Sequence, residues 1–98
     1  MKVRKANEQT IGEAIGEFLD KYRLRDRMNE AKVIQSWEKV VGPMVSKHTV
    51  KLHISKRVLH VRVNSAALRN ELLFARTRLI RALNKEAGAQ VIEDIVLN

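Results

Sequence analysis

Lys51, His53, His60 and Arg62 are the residues whose types and spacing best suit this chain for chemistry, and that chemistry is anion binding. Hydropathy around them alternates with period two. Val50, Leu52 and Ile54 alternate with Thr49, Lys51, His53 and Ser55; Leu59, Val61 and Val63 alternate with His60, Arg62 and Asn64. Two half-buried strands are expected, with Lys56-Arg57 as the turn between them. A two-residue loop pairs Ile54 with Leu59, Leu52 with Val61 and Val50 with Val63. An odd shift would set His60 against Leu52, so the pattern selects an even register. The outer face then carries His53 opposite His60 and Lys51 opposite Arg62. Like charges directly opposite on a sheet are destabilising, and a bound anion would relieve them. Lys47, Lys51, His53, Lys56, Arg57, His60 and Arg62 form the candidate nucleic-acid-binding set, with His48 nearby in the chain. The plain alternative is a solvated polar face whose repulsion salt screens.

The charge distribution favours binding. Nineteen Lys and Arg stand against eleven Asp and Glu, a net charge of +8. Residues 28–64 hold seven of the bases and two of the acids, and from Lys39 to Asn70 there is no acid over 32 residues. Ordinary solubilising surface charge explains a net excess better than it explains so long an acid-free stretch. An anionic polymer is the expected partner.

A second candidate lies further on. Phe74 falls nearly opposite the Leu68–Leu79 stripe of a helical wheel, with Arg78, Arg81 and Lys85 at i+4, i+7 and i+11. An aromatic among cations suits a single strand, which stacks a base while the charges hold phosphate. The same patch would suit an acidic protein, and Phe74 could instead pack under the N-terminal arm or a neighbouring helix.

Other chemistries find little support. There is no cysteine, so disulfides and thiolate metal sites are excluded. His53 and His60 lack a third strong ligand nearby, so no metal or other cofactor is expected. Gly12, Gly16, Gly42 and Gly88 match no phosphate-loop fingerprint. The acids Glu30, Glu71 and Asp94 are spread along the chain, so an enzyme with a small-molecule substrate is not expected. No apolar run approaches the roughly 18 residues that cross a bilayer, and no signal peptide is read at the N-terminus. The expected location is the cytoplasm.

The elements that must position these residues follow from pattern. Residues 1–9 read as a flexible basic arm, and residues 10–98 as one domain. Thr10-x-x-Glu13 is a capping box. Ile11, Ala14, Ile15, Phe18, Leu19 and Tyr22 make an apolar stripe, so a first helix over 11–22 should bury Phe18 and Tyr22. A second helix starts between Asp26 and Asn29, buries Val33, Ile34, Trp37, Val40 and Val41, and stops at Gly42-Pro43. Met44–His48 adds a short helical turn. After the hairpin, Asn64-Ser65 caps a third helix over 66–87, with Leu68, Leu72, Ala75, Leu79, Ala82 and Leu83 inward. Gly88 ends it, and Val91–Leu97 is the last strand. The order is α-α-β-β-α-β, an α+β fold whose helices cover one face of a three-stranded sheet.

Several short runs together are similar to one family. They are Trp37-Glu38-Lys39-Val40-Val41-Gly42-Pro43, His48-Thr49, Leu59-His60-Val61-Arg62-Val63-Asn64-Ser65, Glu71-Leu72, and Leu79 to Asn84. Their order and spacing over about residues 10–97 resemble the DciA family. The resemblance implies a KH-like domain and a non-enzymatic part in bacterial DNA replication. It implies binding of DNA, more than RNA, and of the replicative helicase, which the protein would help to load; it also implies association with the nucleoid. Many members have Trp where this chain has Leu68, so a role for that Trp does not transfer. Many also engage the helicase through a long C-terminal tail, and the resemblance assigns no residue here to that contact. The alternative is a protein-only module docking an acidic partner surface.

Overall fold

The computed structural model describes residues 9–98. Its elements are α1 (Ile11–Lys21), α2 (Leu24–Val41), α3 (Pro43–Lys47), β1 (Thr49–Ser55), β2 (Val58–Val63), α4 (Ala66–Phe74), α5 (Arg76–Ala87) and β3 (Asp94–Leu97). β2 is central, antiparallel to β1 and parallel to β3. The α+β class, with helices packed on one sheet face, is as the sequence implies. The core joins Val33 and Trp37 of α2, Leu59, Val61 and Val63 of β2, Leu72 of α4, Leu79 and Leu83 of α5, and Ile92 and Ile95. The basic arm expected over residues 1–9 lies, except for Gln9, outside the described residues.

Local signals account for most boundaries. Thr10 accepts from the Glu13 N–H, and the Glu13 carboxylate accepts from the Thr10 N–H, both at 2.9 Å, which closes the capping box. Gly42 has φ 91° and Gly88 φ 76°, conformations in which a side chain is strained. Pro43 opens α3 at its first turn, where a missing N–H costs nothing. The Ser65 hydroxyl accepts from the Leu68 N–H at the start of α4.

Five expectations need correction. First, α1 buries none of its residues, and Ile11, Ile15, Phe18 and Tyr22 are all exposed. The helix meets α2 through the edge bearing Gly16 and Leu19, which are half-buried. Its apolar stripe therefore points away from the core. Second, α2 begins at Leu24, because Arg23 turns the corner in the left-handed region at φ 58°; an Asp20–Arg25 ion pair at 2.8 Å braces the corner. Third, the expected helix over 66–87 is two helices. At Ala75 φ is −92° and ψ is 3°, and the chain redirects from α4, which packs on β2 and β3, to α5, which packs on α2 and β3.

Fourth, the last strand starts at Asp94 rather than Val91. The Val91 and Ile92 N–H groups donate to the Asn84 side chain at 2.9 and 3.0 Å, not to a neighbouring strand. Fifth, Val50 does not pair with Val63. Thr49 does, Lys51 pairs with Arg62, and Val50 is the extra residue of a bulge, 61% exposed. The cause is Thr49. Its hydroxyl accepts from the Trp37 indole N–H at 3.0 Å and donates to the Val45 carbonyl at 2.9 Å. Those bonds turn Thr49 inward, and the bulge absorbs the phase change. Beyond it the expected register stands, with Leu52 opposite Val61 and Ile54 opposite Leu59.

Candidate nucleic-acid interface

The sheet face turned away from the helices brings four candidate residues together. Lys51 lies opposite Arg62 and His53 opposite His60. The two imidazoles stack with ring centres 4.7 Å apart and planes 8° from parallel. Lys51, His53 and Arg62 are exposed and His60 half-exposed. All four line a shallow cleft of about 170 Å³. Among the described residues, neither Lys51 nor Arg62 has a carboxylate partner. The face can hold a phosphate between two cations and present a flat aromatic pair beside it.

The hairpin tip points elsewhere. Lys56 and Arg57 occupy the turn with φ of 51° and 65°. Two successive left-handed residues form the turn that matches the twist of paired strands, a geometry normally given to Asn-Gly. For side chains with a Cβ it costs on the order of 1–2 kcal/mol per residue. The Arg57 carbonyl accepts from the Glu93 N–H at 2.8 Å. The Arg57 guanidinium donates to the Gln90 carbonyl at 3.1 Å and to the Glu93 carboxylate at 3.4 Å. The acid-free stretch is thus partly neutralised by acids from elsewhere in the chain, Lys39 by Glu86 at 2.8 Å as well. Lys47 is exposed at the end of α3. His48 ties α3 to the end of β2 through its ring, 2.9 Å from the Asn64 side chain, so it is structural.

The second candidate patch is divided. Phe74 is 89% exposed and ends α4, whereas Arg78, Arg81 and Lys85 belong to α5. Phe74 therefore does not pack under a helix of the domain. Arg78 borders an apolar groove with Leu68, Leu72 and Val41, while Arg81 and Lys85 border another hollow near Gly88. The break at Ala75 puts the aromatic on one helix and the cations on the next.

Arg23 escapes sequence inspection. It lines a polar cleft of about 390 Å³ together with Lys56 and Arg57. It lies in a charge-dense connector, where a left-handed corner joins α1 to α2. Among the described residues no group of three or more metal-ligating side chains is gathered. No helix among them is long and apolar enough to cross a membrane.

Fold and surface define a small basic α+β domain with an exposed cationic sheet face. Residues 10–97 match the family described as "Dna[CI] antecedent, DciA". The chain belongs to the DciA family, and that membership supports a role in replicative-helicase loading, with the helicase as partner. No curated protein and no solved structure matches the chain.

Proposed function

We propose that the domain is a non-enzymatic adaptor that holds DNA on its basic hairpin while the replicative helicase is loaded. One observation carries the reading: Lys51 and Arg62 face each other on an exposed surface with no carboxylate partner among the described residues, beside a stacked histidine pair. Phosphate between the two cations would turn a repulsive cross-strand pair into a bridged one. Lys47, at the end of α3, and Lys56 and Arg57, at the hairpin tip, would add phosphate contacts beside that face, Arg57 by exchanging its pairing with Glu93. Phe74 and Arg78 would make a second contact, Phe74 by stacking a base.

Such binding reads little sequence, because phosphate contacts position without specifying. It also depends steeply on salt. Five phosphate contacts, at about 0.7 counterions each for a single strand, give a slope of about −3.5 in log K against log salt. Removing two contacts should bring it to about −2.1. The test is a Lys51→Glu, Arg62→Glu double variant titrated with labelled DNA at several salt concentrations. Affinity should collapse with the melting temperature preserved. Unchanged affinity would show the hairpin assignment to be wrong.

One observation favours the second reading, a protein-only module. The stripe of Ile11, Ile15, Phe18 and Tyr22 faces outward, as a partner-binding helix face would. Under that reading DNA binding is absent at low salt as well as high.

A further inference from the structure

Three residues other than glycine have positive φ among the described residues: Arg23, Lys56 and Arg57. All three are basic, and all three line the same cleft of about 390 Å³. They come from two distant parts of the chain, the α1–α2 corner and the hairpin tip. Glycine or asparagine would adopt each conformation with less strain. Strain of this kind persists where the surrounding structure imposes it, and it concentrates at binding sites.

The cleft is not simply cationic. Asp26 and Glu30 of α2 line it too, and neither forms an ion pair within the described residues. A bare phosphate would gain from Arg23, Lys56 and Arg57, the last already paired with Glu93 at 3.4 Å and bonded to the Gln90 carbonyl at 3.1 Å, and would lose to the two carboxylates. A ligand with an anionic group at one end and hydrogen-bond donors at the other satisfies both. A nucleotide whose base carries an amino group is such a ligand, since carboxylates accept from the exocyclic amine of cytosine. The volume falls within the range of small-ligand sites.

We infer that this cleft takes one nucleotide of a single strand, its phosphate against Arg23, Lys56 and Arg57 and its base amino group against Asp26 and Glu30. The inference rests on the nucleic-acid reading and deepens it. Lys56 and Arg57 would bend the strand round the hairpin tip, and Arg23 becomes a contact residue. The base at this point would be selected for an amino group, so cytosine is favoured over thymine.

The test uses the full chain with labelled oligo-dC and oligo-dT at low salt, read by fluorescence anisotropy, alongside thermal melts. The wild type should bind oligo-dC about fivefold or more tightly than oligo-dT. Arg23→Gly should weaken oligo-dC binding severalfold and yet melt a few degrees higher, because glycine relieves the corner. Arg23→Lys should keep affinity within about twofold. Asp26→Asn with Glu30→Gln should abolish the base preference without weakening oligo-dT. Equal binding of the two oligomers, or wild-type affinity in Arg23→Gly, would overturn the inference. If only the Lys51, Arg62 double variant loses binding, the sheet face stands and the cleft falls. If only the cleft variants respond, the cleft stands and the sheet face falls. Absence of binding to either oligomer overturns both.

Discussion

Asn84 is the buried polar residue on which the C-terminal segment depends, and its loss should be costly. It is 6% exposed, in the last turns of α5. Its side-chain carbonyl accepts from the Val91 and Ile92 N–H groups at 2.9 and 3.0 Å. Its amide donates to the Ile92 carbonyl at 2.9 Å and to the Gln90 side chain at 3.1 Å. One side chain thereby satisfies three main-chain groups in a segment that has left the sheet. Asn84→Ala would leave those three groups without partners beside Val91 and Ile92, both buried. A buried main-chain group left unpaired costs about 1–3 kcal/mol. The exposed Gln90 can turn to water and adds little.

Even at the low end, the three groups sum to about 3 kcal/mol, a substantial part of the roughly 5–15 kcal/mol expected of a domain. For a chain of this size that corresponds to a fall of at least about 10 °C in melting temperature. Urea unfolding should show a lower midpoint with an unchanged slope. Hydrogen exchange at the Val91 and Ile92 amides should accelerate ahead of the rest of the core. Gln90→Ala, which removes only the partly exposed fourth bond, should cost less than about 0.5 kcal/mol. If Asn84→Ala costs under about 1 kcal/mol, the three groups are being satisfied by some other partner, and the reasoning fails.

Two further outcomes are expected. Thr49→Val keeps the shape but strands the Trp37 indole N–H, while the Val45 carbonyl keeps the His48 N–H at 3.1 Å; about 1–2 kcal/mol should be lost on urea unfolding, and a loss below about 0.5 kcal/mol would remove Thr49 as the cause of the bulge. Phe74→Ser should leave stability within about 0.5 kcal/mol and, if Phe74 stacks a base, weaken single-strand binding about fivefold or more; unchanged affinity would remove Phe74 from the interface.

Much of the hairpin was legible because period-two alternation fixes both register and face. Lys51, His53, His60 and Arg62 stand where that alternation puts them. Val50 departs from the alternation because the Thr49 side chain is bonded to Trp37 and Val45, a tie that the strand pattern does not report. The third predicted helix hides its break for a related reason. Its apolar spacing continues through Ala75, and neither Gly nor Pro marks the break; the redirection follows from what α4 and α5 each cover. The start of β3 is hidden because Val91 and Ile92 are apolar and buried, as strand residues are, while their N–H groups bond to Asn84. Periodicity reports which residues are buried. It does not report where their main-chain hydrogen bonds go.

The same limit explains α1 and the site beside it. An amphipathic stripe states that a helix has an apolar face, not that the rest of its own chain covers that face. Here the covering contact is made by the adjoining edge, at Gly16 and Leu19, and what selects that edge is the left-handed conformation of Arg23. A short helix of this length gains little stability from its own hydrogen bonds, so its orientation is set at the corner. The residue that forms the corner after α1 also lines the cleft beside the hairpin tip. Glycine at position 23 would make the corner with less strain but carry no charge to the cleft. The fold therefore couples an exposed apolar helix face and a polar cleft through one strained basic residue, and neither feature could be read from the spacing of side chains alone.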